Sequence, residues 1–323
     1  MKLFSKIIIV ITLFFTFSCN NNSTDKTNSG INGNLIIFHA GSLSVPFKQI
    51  AKEFNKEYPD VNVMLEASGS RKCARKITDI HKDCDIMASA DYKVIENLLI
   101  PDYADWNIKF ASNEMAIVYN EKSRYKNEIN KDNWFEILLK DDVAYGRSNP
   151  DADPCGYRSV LVNKLAEKYY KKEGFSNKIL SKDNNYIRPK ETDLLALLES
   201  NTIDYIFLYR SVAEQHGLKY IILPEEINLK NPEFADLYAT VTVDISGKKP
   251  GEKITKKGEA MVYGITVLKN AKNKNAAKTF IEFFLNKEKG MKIMKQNGQP
   301  SVIPAISKSY DNIPEYLKIY AKK

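Results

Sequence analysis

Leu35-Ile36-Ile37-Phe38-His39-Ala40-Gly41-Ser42-Leu43-Ser44-Val45-Pro46-Phe47 is the stretch from which the fold of this chain can be read. Leu35 to Phe38 is an apolar run of strand length, and Phe47, Ile50, Ala51 and Phe54 then recur at helical spacing. The small residues Ala40-Gly41-Ser42 therefore form a turn between a buried strand and a helix. Gly41 lets another group approach the backbone closely. Ser42 offers a hydroxyl and an N–H near the helix start, where unpaired N–H groups and the dipole favour an anion. Taken alone, the turn reads most simply as an ordinary connection with a serine cap.

Outward from this stretch the same pattern repeats. Strands are expected at Asn34–His39, Val61–Glu66 and Asp85–Ala88, each followed by a helix: Val45–Tyr58, Ser70–His81 and Tyr92–Leu99. Repeated βαβ units argue for an α/β fold with a parallel sheet covered by helices. The second strand ends in Ala67-Ser68-Gly69-Ser70 and the third in Ala88-Ser89-Ala90-Asp91. Ligands of open α/β sheets sit outside the carboxyl ends of the strands, so three serine-bearing loops in that register weigh against a chance turn. Asn113–Tyr119 reads as a long strand leaving this unit, and Met261–Leu268 as the return crossing. Between them lies a second unit, with the turn-rich loop Ser148 to Gly156, a long helix from Tyr157 to about Lys171, and a strand at Asp204–Tyr209. The remainder is expected to be helical: Lys274–Asn286, Gly290–Asn297 and Pro314–Lys322.

The chain of 323 residues is long enough for one large or two medium domains, and its 43% hydrophobic content supports proper cores. The net charge of +8 comes mostly from scattered lysines, without a dense basic-aromatic block, which speaks against nucleic acid. Lys2 and Lys6 precede an apolar run, Ile7 to Phe17, that is shorter than the roughly 20 residues needed to span a bilayer. It fits an export signal. Ser18-Cys19 ends the run as a bacterial lipobox would, although Thr16 stands where Leu is usual. Residues 1–19 are thus expected to be a signal peptide with a lipidated Cys19, and the polar residues 20–33 a tether. Cys73, Cys84 and Cys155 remain. Their spacing is not that of a zinc site, and packed thiols are the default.

Several longer blocks then carry a resemblance. Ala40-Gly41-Ser42-Leu43, Ala67-Ser68-Gly69-Ser70-Arg71-Lys72-Cys73, Asp153-Pro154-Cys155-Gly156-Tyr157-Arg158, the run from Arg188 to Leu198, that from Tyr209 to Tyr220, and Val262-Tyr263-Gly264-Ile265-Thr266-Val267 are similar to the tungstate- and molybdate-binding lipoproteins of ABC importers. This is the WtpA type, related to the ModA type. The resemblance runs from about Asn34 to Pro304. Gly174–Asn185 looks short beside the family, as a surface loop would be. The resemblance implies a two-lobed periplasmic-binding-protein fold of type II, each lobe a mixed sheet flanked by helices, with the ligand cleft between them. Residues 34–114 and 262–323 would form one lobe and 115–261 the other. Ser42, Ser70, the Cys155 N–H and Tyr209 would bind the oxyanion, and Asp153 and Glu191 would ligate its metal. The chain would be an exported, membrane-anchored monomer that serves an ABC permease, with the oxyanion as cargo and no cofactor.

The carboxylates need a physical reason, because a dianion repels them. Tungsten and molybdenum are large d⁰ centres that can expand from four oxygens to six, so a carboxylate can join them. Sulfur and phosphorus in their oxyanions do not readily do so. The plain alternatives are a dipole-favouring acid at a helix start for Glu191 and a turn or cap residue for Asp153, with Asp151 two residues away. Three rival functions remain. The same fold could bind phosphate, sulfate or ferric iron, the last through a tyrosine pair such as Tyr169-Tyr170. A hydrolase would need His39, His81 or His216 beside Ser42 or Ser70, but no nucleophile-elbow, zinc or phosphate-loop motif is present. A purely structural lipoprotein would leave the serine loops without a role.

Overall fold

The computed structural model describes residues 30–182, 184–247 and 249–323. The expected signal peptide, Cys19 and the tether up to residue 29 lie outside the described residues. In chain order the strands are β1 (Gly33–Ala40), β2 (Val61–Ser68), β3 (Ile86–Ser89), β4 (Ile108–Ser112), β5 (Met115–Tyr119), β6 (Tyr145–Ser148), β7 (Ile187–Arg188), β8 (Tyr205–Tyr209), β9 (Lys219–Ile222), β10 (Thr242–Ser246), β11 (Lys253–Lys257) and β12 (Val262–Val267). The helices are α1 (Ser44–Glu57), α2 (Ser70–Thr78), α3 (Tyr92–Leu98), α4 (Trp134–Leu138), α5 (Pro154–Tyr170), α6 (Phe175–Lys182), α7 (Asp193–Glu199), α8 (Arg210–Gln215), α9 (Ala235–Tyr238), α10 (Lys274–Leu285) and α11 (Gly290–Gln296).

Two five-stranded sheets organise these elements, in the orders β2-β1-β3-β12-β4 and β7-β6-β8-β5-β9. Each is mixed. β1, β2 and β3 are parallel, as are β6, β7 and β8, while β12 and β5 run against their neighbours. The parallel strands are buried on both faces, as helices on either side of a sheet require: every residue of β3 and β8 is buried. In α1, Phe47, Ile50 and Phe54 face inward at helical spacing. Phe47 and Phe54 meet Phe280, Phe283 and Phe284 of α10, which closes the C-terminal helices onto the first sheet.

The chain passes between the sheets twice, at Asn113-Glu114 and at residues 258–261. Both crossings are pinned. The Met115 N–H donates to the Asn228 carbonyl, and the Met261 N–H to that of Leu229. The buried Glu114 carboxylate accepts from Arg210 at 2.6 Å and from Asn228 at 3.1 Å. The strand expected at Asn113–Tyr119 is β5, which begins at Met115 because Asn113-Glu114 is the crossing that precedes it.

Two further expectations are corrected, and one strand is added. Pro314–Lys322 is not an α-helix. Glu315–Tyr320 is a 3₁₀ turn, and Ala321–Lys322 pairs in parallel with Ala305–Ile306. The segment after Gly174 is helix α6, with Phe175 and Ile179 buried against the core rather than a surface loop. β11 is a strand that composition hides, because Lys253-Ile254-Thr255-Lys256-Lys257 is mostly charged and gains its conformation by pairing with β10. Among the described residues, no helix is long and apolar enough to cross a membrane.

Candidate functional site

The pairing registers carry the serine loops to one place. Ala40 lies opposite Ser68, and His39 opposite Ala88, so β1, β2 and β3 end level with one another. In the second sheet β6 and β7 end together, Ser148 opposite Arg188. Gly69 of the first sheet's loops meets Ala152 and Pro189 of the second sheet's loops, so the two sets face each other. The first helical turns after Ala40, Gly69, Asp153, Thr192 and Tyr209 have no side-chain cap. After Thr192 and Tyr209 the leading N–H groups are already bonded, Leu194 to the Glu191 carbonyl and Arg210 and Ser211 to Glu114 and Asn113, so the turns after Ala40, Gly69 and Asp153 are the ones that offer N–H groups to an acceptor between the sheets.

Ser42, Ser70, Cys155, Tyr209, Asp153 and Glu191 are all buried here. Ser42 Oγ accepts from the Tyr263 hydroxyl at 3.0 Å, Ser70 Oγ from the Ala90 N–H at 2.9 Å, and the Tyr209 hydroxyl from Arg158 Nη1 at 3.0 Å. Cys155 turns its thiol away to the Phe207 carbonyl at 3.6 Å, and burial pushes that thiol well above its ordinary pKa. What it offers the site is its N–H in the first turn of α5. Ser89 does not join the other two serines. Its hydroxyl bonds the Asp91 carbonyl and N–H within its own loop.

Asp153 and Glu191 meet across the second sheet's loops. Asp153 Oδ2 accepts from the Glu191 N–H at 3.1 Å. Asp153 sits at the N-cap of α5 but makes no cap bond, and its Oδ1 is buried without a partner. Glu191 precedes α7 by two residues, yet its carboxyl is aimed at the other sheet: a Cβ on Gly41 would lie 3.0 Å from both of its oxygens. Neither oxygen has a hydrogen-bond partner. The Ser42 N–H faces this carboxyl and favours its charged form. Burial, and then the charge of Asp153, raise the Glu191 pKa well above the usual carboxylate range; burial raises that of Asp153 too. Two adjoining buried carboxyls are costly to ionise together, which favours a proton on Glu191, shared toward Asp153. Two buried acids with three unused oxygens between helix N-termini suit an electrophilic centre better than a simple anion.

Further contacts hold the two sets of loops together. The Lys72 N–H donates to the Ala152 carbonyl at 3.1 Å, and Arg71 Nε to that of Asp151 at 3.1 Å. The β10–β11 hairpin reaches across as well. Arg71 bonds the Ser246 carbonyl, Arg75 bonds that of Gly247 at 2.8 Å, and Lys256 pairs with Asp91 at 2.7 Å. Tyr157 also donates to Asp91. Burial would raise the Asp91 pKa, but the Lys256 ammonium and the Arg158 guanidinium hold it well below the usual range.

Sequence reasoning missed several residues of this site. They are Arg158 and Tyr263, Ser148 in the turn-rich loop, whose buried Oγ is also without a partner, and Gln299. Being polar and adjacent to small-residue loops was their only local signal. His39 is near Ser42 in sequence, but its Nδ1 meets the Ala40 carbonyl at 2.8 Å, and burial lowers its pKa to about 4. Among the described residues no hydrogen bond links it to Ser42 or Ser70. Tyr170 packs on Phe135 and Tyr169 is exposed, at the C-terminal end of α5. Cys73, Cys84 and Cys155 are free buried thiols.

Two mixed sheets whose strand-end loops meet face to face, with buried hydroxyls and carboxyls at the meeting, are the architecture of a protein that holds a small ligand between two halves. The chain belongs to the bacterial extracellular solute-binding protein family, whose description it matches over residues 35–299. It is 53% identical over 295 residues to an uncharacterized solute-binding protein of Petrotoga mobilis, covering 90% of this chain and 91% of that one. It is 44% identical over 346 residues to the molybdate/tungstate-binding protein WtpA of Pyrococcus abyssi, covering 98% of each. The corresponding protein of Thermococcus kodakarensis is 41% identical, with 96% and 94% covered. Among solved structures the fold matches the periplasmic molybdate-binding protein of Azotobacter vinelandii, with a TM-score of 0.60 at 17% identity over 84% of this chain and 99% of that one. It also matches the sulfate-binding protein SubI of Mycobacterium tuberculosis, with a TM-score of 0.61 at 15% identity over 84% and 88%.

Proposed function

We propose that this protein captures tungstate or molybdate outside the cytoplasm and delivers it to an ABC importer. The observation that carries the reading is the buried Asp153–Glu191 pair, whose unpartnered oxygens point between hydroxyl donors and helix N-termini. Ser42, Ser70, Tyr209 and the Cys155 N–H bind the oxyanion's oxygens. Asp153 and Glu191 displace their proton and complete a six-oxygen shell on the metal, since ligating carboxylates must be ionised. The relatives named for molybdate and tungstate support the choice of cargo. In this reading residues 34–114 with 262–323 form one lobe and 115–261 the other, and the protein works as a monomer without a catalytic step.

The rival cargoes fit less well. Phosphate and sulfate would face two carboxylates that their central atoms cannot recruit. Ferric iron would require Tyr169-Tyr170, which lie at the far end of α5 from Cys155 and Asp153. A hydrolase would require His39 to contact a serine. Thermal unfolding with tungstate, molybdate, sulfate, phosphate or ferric citrate separates these readings. A ligand present at a thousandfold its Kd stabilises by about 4 kcal/mol, so tungstate and molybdate are expected to raise Tm by several degrees. Stabilisation by ferric iron or phosphate with no response to tungstate overturns the proposal.

The anchor belongs to the same reading, on the strength of the short apolar run ending at Ser18-Cys19. Stable anchoring normally takes more than one acyl chain, which a diacylated and N-acylated cysteine supplies. Wild-type protein is expected in the membrane fraction, and Cys19→Ser uncleaved by the lipoprotein pathway or in the soluble fraction. Wild type found soluble shows that Cys19 is no anchor.

A further inference from the structure

The hydroxyls of Ser42, Ser70 and Tyr209 share one feature: each oxygen already accepts a hydrogen bond from a protein donor. For Ser42 the donor is a side chain, and the polarity of that bond can be worked out. Asn113 lies at the first crossing between the sheets. Its Oδ1 accepts from the Glu114 N–H at 2.9 Å and from the Ser211 N–H at 3.5 Å. Two backbone donors on one atom fix that atom as oxygen, so the amide cannot be flipped. Asn113 Nδ2 therefore carries the protons, and donates to Ser211 Oγ at 2.7 Å and to the Tyr263 hydroxyl at 2.9 Å.

Gln299 is fixed in the same way. Its Nε2 donates to the Ser42 carbonyl, which can only accept, at 3.0 Å, and also approaches the Tyr263 hydroxyl at 3.4 Å. The Tyr263 oxygen thus receives protons from Asn113 and Gln299. Its own proton is left for Ser42 Oγ, 3.0 Å away. A serine oxygen that accepts from tyrosine must send its own proton elsewhere, and the cleft is where Ser42's N–H also points, toward the Glu191 carboxyl. Asn113, Tyr263, Gln299 and Ser42 are all buried, so water does not scramble the chain of bonds.

We infer that Tyr263 is a positioning residue for the ligand: held by Asn113 and Gln299, it donates to Ser42 and so commits the Ser42 hydroxyl proton to a ligand oxygen. The same logic places Arg158 behind Tyr209, where the guanidinium can only donate. The inference rests on the oxyanion reading of the cleft. It deepens that reading by assigning the direction of a bond on which affinity depends. The chain also ends at the crossing between the sheets, so the serine's donor role requires the crossing to be in the arrangement seen here.

Calorimetric titration of tungstate into wild type, Tyr263→Phe, Ser42→Ala and the double variant tests it. Tyr263→Phe keeps the ring that packs on Phe110, and its ligand-free Tm reports the fold. Loss of one positioned hydrogen bond is expected to weaken tungstate binding about three- to tenfold. In the Ser42→Ala background the same substitution is expected to cost nothing, because the hydroxyl that it orients is gone. An equal loss in both backgrounds, or no loss in either, overturns the positioning role. Wild type that binds neither tungstate nor molybdate instead overturns the reading of function on which it rests.

Discussion

Glu191→Gln is expected to weaken tungstate and molybdate binding roughly ten- to hundredfold while leaving sulfate binding no worse. The substitution keeps the shape of the side chain and removes its charge. If Glu191 joins the metal as a charged partner, its loss costs about 1.5–3 kcal/mol, which gives that range of affinity. Sulfate cannot recruit a fifth or sixth oxygen, so its binding does not draw on this carboxyl and is not weakened by its loss. Asp153→Asn is expected to follow the same pattern. Calorimetry with all three anions checks both. Unchanged tungstate affinity, or a four-coordinate metal by X-ray absorption, would return both acids to ordinary turn positions.

The same carboxyl sets the pH dependence. Its pKa is raised in the folded, closed protein by burial and by Asp153. Binding of the metal must therefore expel a proton, and tungstate affinity is expected to rise with pH, by about tenfold per pH unit for one proton. Ligand-free stability runs the other way. A carboxyl whose folded pKa lies above its unfolded value contributes fully below the latter, about 4.3, and loses that contribution as pH rises through the folded value. In Glu191→Gln both slopes are expected to flatten. A pH-independent wild-type affinity would show that no proton leaves.

Gly69→Ala is expected to fold normally and to bind tungstate roughly five- to over a hundredfold more weakly. Gly69 has φ −58° and ψ 137°, a conformation open to alanine. Its constraint comes from across the cleft. A Cβ there would lie 2.5 Å from the Ala152 carbonyl oxygen and 2.9 Å from that of Pro189, both backbone atoms that cannot swing aside. The methyl is a wedge against closure only, and overpacking of this kind costs about 1–3 kcal/mol, hence the range of affinity. Ligand contacting both halves favours the closed state by its differential affinity. Small-angle scattering should show wild type contracting with tungstate, and Gly69→Ala contracting less at the same concentration. A variant that closes and binds like wild type would show that Gly69 and Ala152 do not meet in the bound state.

Local chemistry made the alternation of strands and helices legible. Apolar runs such as Leu35–Phe38 and small-residue turns such as Ala40-Gly41-Ser42 announce themselves within a dozen residues, and the helix starts follow from them. β11 and the pairing of Ala321–Lys322 with Ala305–Ile306 were not legible, because a strand of lysines or a two-residue pair exists only by virtue of its partner. The resemblance of the longer blocks points to five side chains and one backbone N–H, and all six residues are buried. It could not say what stands behind them.

By itself, then, the sequence determined the α/β class, the order of most elements and the loops on which Ser42, Ser70 and Asp153 sit, since propensity, periodicity and turn chemistry act over short stretches. Folding alone brings Tyr263 and Gln299, 221 and 257 residues away, against Ser42, makes Asp153 accept from Glu191 instead of capping its own helix, and presses Gly69 against the opposite half. Protonation and hydrogen-bond direction depend on burial and on neighbours supplied by distant segments, and those neighbours exist only once the chain has closed.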